Sequence, residues 1–278
     1  MKNMSISSLE SQCDHGGGQL CTVKDTILES LLREDTVQNR KPHSSRMETQ
    51  RMCRCPYVRV HLAFNPGSIV NRKLANWLVR CVQFARGLPD FSSLCVKDQI
   101  SLFLSAWKEL VILCMAQAYF KYTVKTDDGI HSNSDQIVAK SVGGNCPGRR
   151  AYMEGVPTKK AVEQLQFVLN KFWEIKPDEK EYAILKMLLL LNPNMRDLTA
   201  TARVERIHES IQSTLMEYEK LCYPNDPLRL SHLLLLLPGV RGFNKITFEN
   251  LFFRHLIGDT EMESVLVELI QDHVVCSV

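Results

Sequence analysis

Apolar residues recur at helical spacing from residue 71 onward. Five of them fall at positions i, i+3, i+4, i+7 and i+8, on one face of a helix: Leu74, Trp77, Leu78, Cys81 and Val82. Gly87 and Pro89 end this helix, because proline disfavours helical geometry in the residue before it. The next segment, residues 97–120, is apolar on nearly all sides, which predicts a helix in the middle of a layered domain.

Six further segments carry the same periodicity and are predicted helices: residues 158–174, 178–191, 200–221, 227–237, 247–256 and 262–271. No stretch sustains an alternation of apolar and polar residues, so strand structure is limited to a short hairpin around residues 119–124. Residues 127–157 are rich in serine, asparagine, glycine and proline, as in a long flexible insertion. The pattern predicts one all-α domain over residues 71–273, followed by a short tail, residues 274–278.

Residues 1–70 differ from the rest of the chain. They are mainly polar and predict a mostly flexible arm, because they cannot bury enough apolar surface to offset the ordering entropy. The exception is an LxxLL element whose leucines share one helical face: Leu28, Leu31 and Leu32. Three exposed leucines in a polar segment are costly unless a partner covers them. We therefore predict that this element binds a partner's groove as a short helix.

Composition and charge exclude several classes of function. With 45% hydrophobic residues and a formal net charge of +3, the 278-residue chain has the make-up of a globular protein rather than a disordered one. Its basic residues form no cluster that resembles a nucleic-acid groove. No unbroken apolar run is long enough for a signal peptide or a bilayer span. We therefore expect neither membrane association nor direct DNA binding.

The ten cysteines are irregularly spaced, and half of them lie in apolar runs, as buried thiols of a reducing compartment do. In the arm, Cys53 and Cys55 are weak candidates for zinc ligands, because a lone Cys-x-Cys lacks a second pair. Paired four-cysteine zinc modules of the kind that read DNA do not occur in these residues. A phosphate-binding loop, a nucleophile elbow and an HExxH motif are missing as well, so we expect neither catalysis nor a cofactor, and no metal site in the domain.

Three neighbouring stretches carry a family resemblance. They read FARGLPDFSSL from Phe84, KDQISL from Lys97 and SAWKEL from Ser105. Together they closely resemble the signature of nuclear receptor ligand-binding domains. Later stretches match that family in the same order: EYAILK from Glu181, LLLLL from Leu233, LFFR from Leu251 and VLVELI from Val265. The resemblance covers roughly residues 70–273.

The resemblance implies an all-α, three-layer antiparallel helical sandwich and a transcriptional regulator rather than an enzyme. The short arm with an LxxLL element and no zinc module is most similar to atypical receptors without a DNA-binding domain, namely the small heterodimer partner and the DAX-type receptors. The C-terminal third is also similar to tailless-type receptors. The first similarity implies a corepressor that binds other nuclear receptors. The second implies a ligand-regulated domain whose zinc modules are missing from this isoform.

The resemblance also implies a coregulator groove. In this family the third, fourth and last helices bind leucine-rich helices, with a cation at one end of the groove and a carboxylate at the other. By position, Arg86 is the cation and Glu268 the carboxylate, and the apolar floor is formed by Val82, Ile100, Leu104 and Leu266. Such charges suit the two ends of a bound helix, whose terminal N–H and C=O groups lack partners within the helix.

A ligand pocket lined by Trp77, Trp107 and Met115 is implied in the same way. The turn after the helix that contains Trp107 has no cation, so we expect a neutral lipid or no ligand, and an acidic ligand is disfavoured. The expected partners are other nuclear receptors, corepressor or coactivator proteins, and a second subunit in a homodimer or heterodimer. The family implies a nuclear location, with the cytoplasm as an additional one.

Overall fold

A computed structural model of the protein describes residues 57–63, 69–126, 136–139 and 154–271. Ten helices lie within these ranges: α1 (Ile69–Gly87), α2 (Pro89–Ser92), α3 (Val96–Gln117), α4 (Lys159–Ile175), α5 (Glu179–Leu190), α6 (Thr201–Cys222), α7 (Arg229–Arg241), α8 (Lys245–Phe252), α9 (Arg254–Ile257) and α10 (Met262–Gln271). The described part also holds three short strands: β1 (Val60–Ala63), β2 (Thr123–Thr126) and β3 (Gln136–Ala139). The predicted all-α class is confirmed.

The central helix of the sandwich is α3. Fourteen of its 22 residues are buried, as its almost uniformly apolar sequence predicts. It packs against α1, α4, α5, α7 and α10, so other helices cover it on both sides. Among the described residues it is also the one helix long and apolar enough to cross a bilayer, but 72% of that apolar window is buried inside the domain. Its apolar character is therefore that of a core helix.

The β-structure differs from the predicted hairpin around residues 119–124. The strands form one sheet in the order β1-β3-β2, in which β1 is antiparallel and β2 is parallel to β3. The hairpin prediction was wrong, because β2 pairs in parallel with a strand beyond a connecting segment rather than across a tight turn. β3 also lies inside residues 127–157, which the sequence assigns to a structureless insertion. Strands of four residues are too short to show a clear alternation.

The folded domain begins before residue 71, because β1 and the residues next to it belong to its core. Val58 and Val60 are buried in the main core. The N–H of Val60 donates to the carbonyl of Pro157 at 3.0 Å, and the N–H of Lys159 donates to the carbonyl of Val58 at 2.8 Å. The domain therefore includes residues 57–63, which the sequence analysis assigned to the arm.

Two helix ends also differ from the predictions. α7 continues through Pro238 to Arg241, four residues past its predicted end. The single helix predicted over residues 247–256 is divided into α8 and α9 at Phe253. The apolar pattern runs on across Phe253 because both short helices face the same core, so periodicity alone does not reveal the break.

A buried carboxylate joins α3 to the start of α6. Asp98 accepts hydrogen bonds from the N–H of Thr199 at 2.8 Å, from its hydroxyl at 2.7 Å and from the N–H of Ala200 at 2.9 Å. Ala200 precedes the first residue of α6, where N–H groups lack partners within the helix. Burial opposes ionisation, but the hydrogen bonds outweigh it and hold the pKa of Asp98 below its usual value.

A network of buried charges links α5, α6 and α7. Arg229 donates to the two carboxylate oxygens of Glu181 at 2.5 and 2.7 Å, and its Nε lies 3.5 Å from a carboxylate oxygen of Glu219. Both glutamates are buried, Glu181 completely. Burial and the neighbouring Glu181 carboxylate raise the pKa of Glu219 to about 7. Two carboxyl groups thus share one guanidinium, and the second carboxyl titrates near neutral pH.

We expect Glu219→Gln to be more stable than the wild type at about pH 8 and about equally stable at about pH 4. Folding raises the pKa of this carboxyl from 4.5 to about 7. The carboxyl therefore stabilises the fold fully below about pH 4.5, and this contribution is lost as the pH rises through about 7. Glutamine keeps the shape without titrating. Thermal melts at both pH values measure the difference, with the exposed Glu217→Gln as control. The same pH response in Glu219→Gln and wild type would contradict it.

Candidate functional site

An arginine from α1 holds the C-terminal end of the last helix, α10. Nη2 of Arg86 lies 2.7 Å from the carbonyl oxygen of Leu269 and 2.5 Å from that of Ile270. Both carbonyls belong to the last turn of α10, where no N–H of the helix is available to them. The guanidinium also complements the negative end of the helix dipole. Arg86 is therefore a charged C-terminal cap for α10.

α10 packs its apolar face against α1 and α3. Four of its side chains are buried and follow helical spacing: Met262, Val265, Leu266 and Ile270. Val265 packs on Ala75 of α1, while the other three belong to the main core. A fully buried leucine contributes roughly 1.5–3 kcal/mol of transfer free energy. α10 is therefore held by apolar burial along its length and by a charge at its end.

The structure places the six predicted groove residues on three packed helices. α1 carries Val82 and Arg86, α3 carries Ile100 and Leu104, and α10 carries Leu266 and Glu268. The four apolar side chains either belong to the main core or pack against it. The three helices that carry these residues thus pack together, and the role of the six residues in binding a partner helix stays a prediction.

The two charged residues of the predicted groove are not at opposite ends of an open channel here. Glu268 is half-buried on α10 and directly precedes Leu269, whose carbonyl Arg86 binds. The cationic end is therefore engaged by the chain's own last helix. Sequence reasoning missed this contact, because the acceptors are backbone carbonyls and leave no mark in the sequence.

The connection that precedes α10 adds a turn and one weak ion pair to the contacts that hold the helix. Gly258, which follows α9, has a φ of +60°, a left-handed value that favours glycine. Glu263, in the first turn of α10, forms an exposed ion pair with Lys245 at 2.8 Å. Exposed ion pairs of this kind contribute about 0–1 kcal/mol. The connection before α10 therefore provides a turn that adds little to the binding of the helix.

Two of the three predicted pocket residues lie in the packed interior. Trp107 and Met115 are fully buried. The ring of Trp107 meets that of Phe253 edge-on at 5.5 Å and lies 5.9 Å from that of Phe248. In the described structure, aromatic side chains therefore pack directly around Trp107.

The third pocket residue lines a surface cleft of about 370 Å³. Its walls are formed by Lys73, Trp77, Ala118, Tyr119, Phe120 and Lys121. The expectation that an acidic ligand is disfavoured rested on the lack of a cation in the turn after α3. Lys73 on α1 and Lys121 beyond that turn place two cations at this cleft, and the kind of ligand stays a prediction. The position of Lys73 one helical turn before Trp77 was the signal in the sequence.

α7 and the chain before it expose several leucines. The exposed fraction of the side chain is 72% for Leu235, 59% for Leu228 and 81% for Leu221. On the other face of α7, Leu233, Leu236 and Leu237 are buried.

Other predicted residues lie outside the described part of the chain. These are Leu28, Leu31 and Leu32 of the LxxLL element and the arm cysteines Cys53 and Cys55. Their roles stay predictions. Within the ranges that are described, no group of three or more His, Cys, Asp and Glu side chains is arranged to hold a metal ion.

Comparison with known proteins gives a consistent result. Residues 69–257 match the sequence model of a family described as the ligand-binding domain of nuclear hormone receptor. The chain is 31% identical over 197 residues to the retinoic acid receptor RXR of Biomphalaria glabrata. That match covers 70% of this chain and 42% of the relative, so the chain spans less than half of the relative's length.

Proposed function

The chain belongs to the nuclear hormone receptor family, whose ligand-binding domain it contains, and on that premise we propose that it represses transcription by binding other regulatory proteins. The observation that carries the proposal is the capping of α10 by Arg86. Arg86 is the cation predicted to bind the end of a partner helix, and here it binds the end of α10. A coactivator helix must displace α10 before it can use that cation.

In this proposal α10 acts as a tethered competitor for the groove. A protein whose binding-competent state is only partly populated shows an affinity reduced by the populated fraction. The buried face of α10 and the Arg86 cap both favour the closed state. A receptor domain with a closed groove recruits coactivators weakly, which supports repression over activation.

We propose that the chain reaches its target genes through receptors that are themselves bound to DNA. Leu28, Leu31 and Leu32 enter the coactivator groove of such a receptor and exclude its coactivators. In this mode the chain does not itself contact DNA, catalyse a reaction or use a cofactor. It acts in the nucleus. The similarity to the small heterodimer partner and the DAX-type receptors supports it.

Changing Leu31 and Leu32 together to alanine is expected to weaken binding to the ligand-binding domain of another nuclear receptor at least about tenfold. Each buried leucine contributes roughly 1.5–3 kcal/mol, less the cost of ordering the segment. Titration of the full chain into the partner domain measures the affinity, and a thermal melt measures the stability. Leu9→Ala with Leu20→Ala, two arm leucines outside the motif, is the matched control.

The competing result for this variant is also defined. If the LxxLL element packs on its own domain, the double variant melts at a lower temperature while partner affinity and repression stay unchanged. That outcome would remove the segment from the recruitment model. An unchanged melting temperature with weaker partner binding would support it.

A second candidate is a ligand-regulated domain of a tailless-type receptor. The cleft lined by Lys73, Trp77 and Lys121 favours it, because two cations beside an aromatic wall suit a ligand with an anionic head and an apolar body. Transcript sequence that encodes a pair of four-cysteine zinc modules in frame upstream would favour this candidate over the first.

The exposed Leu235 of α7 supports a subunit contact in either case. We propose this face as the contact for a homodimer or for a heterodimer with another receptor. Leu235 is the most exposed leucine within α7 and lies on the side opposite the core.

A further inference from the structure

Two cysteines meet where α1 packs on α3. The Sγ atoms of Cys81 and Cys114 lie 3.7 Å apart, and both residues are buried. Cys81 is 2% exposed and Cys114 is 9% exposed, so a small edge of the pair reaches the surface. The other two cysteines in the described part of the chain, Cys95 and Cys222, are exposed.

The surroundings of the pair shift the pKa values of the two thiols in opposite directions. The hydrogen bond from Cys81 outweighs burial, and with the positive charges of Lys186 and Arg80 it lowers the pKa of Cys114 to about 7. Burial raises the pKa of the Cys81 thiol, and its hydrogen bond with Cys114 adds to the shift. Near neutral pH one partner is thus partly thiolate, the reactive form of cysteine, and the other is a thiol.

Lys186 is fixed at the edge of this site. Its Nζ donates to the side-chain oxygen of Gln117 at 2.9 Å and lies 5.7 Å from the centre of the Phe84 ring. Gln117 ends α3, three residues after Cys114. The cation therefore comes from a third helix, α5, and its position does not depend on the thiols.

We propose that Cys81 and Cys114 form a modification site for peroxides, at which oxidation links α1 to α3 by a disulfide. The Cys114 thiolate attacks one oxygen of hydrogen peroxide, the O–O bond breaks, and the leaving hydroxide takes up a proton to give water. Cys81 then loses its proton, its sulfur attacks the sulfur of the Cys114 sulfenic acid, and the S–O bond breaks with release of a second water. One peroxide thus oxidises two thiols to one disulfide.

The geometry requires only a local approach of the two sulfur atoms. A disulfide joins sulfurs about 2.05 Å apart, so the present separation closes by under about 2 Å. The pair spans 33 residues of sequence and lies on the two helices against which α10 packs. Arg86 follows Cys81 by five residues on α1, so the modification occurs on the helix that also caps α10.

Peptide mapping by mass spectrometry after hydrogen peroxide treatment of the reduced full-length chain tests the proposal. We expect the peptides of Cys81 and Cys114 to become disulfide-linked at least about tenfold faster than Cys95 or Cys222 is oxidised. Cys95→Ser with Cys222→Ser is the control and should leave the rate unchanged. Preferential oxidation of the exposed cysteines, or linkage of Cys114 to any other cysteine, would overturn it.

Single variants separate the two steps. In Cys81→Ser the second step is removed, so a sulfenic acid at Cys114 accumulates and is trapped by dimedone. In Cys114→Ser the first step is removed, and Cys81 stays reduced. Circular dichroism melts confirm that each variant is folded. A folded Cys81→Ser protein without dimedone adduct at Cys114 would rule out the site, whatever the outcome for coregulator binding.

Discussion

Replacing Arg229 with leucine is expected to lower the free energy of unfolding by about 3–5 kcal/mol, the usual effect of removing one partner from a buried ion pair. The guanidinium binds both carboxylate oxygens of Glu181 and lies 4.0 Å from the centre of the Tyr223 ring. Without it, Glu181 stays fully buried beside Glu219 and has lost its cation. Urea denaturation near neutral pH measures the loss.

Two companion variants make this result specific. Arg203→Leu removes an exposed arginine that bonds to Ser93, and should change stability by no more than about 0.5 kcal/mol. Arg229→Leu with Glu181→Leu should recover part of the loss, because the pair is then replaced by apolar side chains. A loss in Arg229→Leu no larger than in Arg203→Leu would show that the network does not stabilise the fold.

Leu266→Asp is expected to raise the affinity of the domain for a leucine-rich helix at least about tenfold. The substitution removes a fully buried leucine, worth roughly 1.5–3 kcal/mol, and places a charge in its apolar site. α10 should then leave its place on α1 and α3 and open the groove. The variant gives up the predicted contribution of Leu266 to the floor, which is then formed by Val82, Ile100 and Leu104. A labelled peptide of residues 22–36, which contains the LxxLL element, is the probe, and fluorescence anisotropy measures its binding. Both proteins carry Leu31→Ala and Leu32→Ala, so that their own tethered element does not compete with the peptide.

Ser264→Asp is the matched control for Leu266→Asp. It adds the same charge to the exposed side of α10 and should leave peptide affinity unchanged. Peptide binding that is equal in Leu266→Asp and wild type, with both proteins folded, would mean that leucine-rich helices bind elsewhere.

The same background clarifies the role of Arg86. In the wild type, Arg86→Ala has two opposite effects on peptide affinity. It loosens α10, which favours peptide binding, and it removes the cation that would cap the incoming helix, which weakens peptide binding. In Leu266→Asp only the second effect remains, and adding Arg86→Ala should weaken peptide binding by about 1–2 kcal/mol.

The helices were predictable because their apolar positions repeat over long stretches. α1, which carries the stripe that contains Leu74 and Leu78, and the uniformly apolar α3 each extend over about five turns or more, so burial imposes a clear pattern. The predicted groove residues rest on a resemblance over a continuous signature, and their role stays a prediction. The contact between Arg86 and the end of α10 was not predictable, because Arg86 binds backbone oxygens that every residue possesses.

Contacts between distant parts of the chain were the other missing element. Asp98 and Thr199 are 101 residues apart, and neither side chain is unusual for its place in the sequence. The strands are four residues long. β1 lies in the predicted arm and pairs with β3, which lies in the predicted insertion. Such features depend on how the helices are arranged in space, and local periodicity contains no information about that arrangement.

The inclusion of β1 in the sheet gives the LxxLL element a short tether. Between Leu32 and Val60 lie 28 residue steps, which cannot span more than about 95 Å whatever path they take. One copy within that radius corresponds to an average local concentration of at least about 0.4 mM around its own domain. A partner receptor at about 1 μM thus faces a disadvantage of several hundredfold in concentration. In the proposed function α10 closes the chain's own groove and so keeps this intramolecular site from sequestering the leucines. The helix proposed to block coactivators would then also leave the arm available to other receptors.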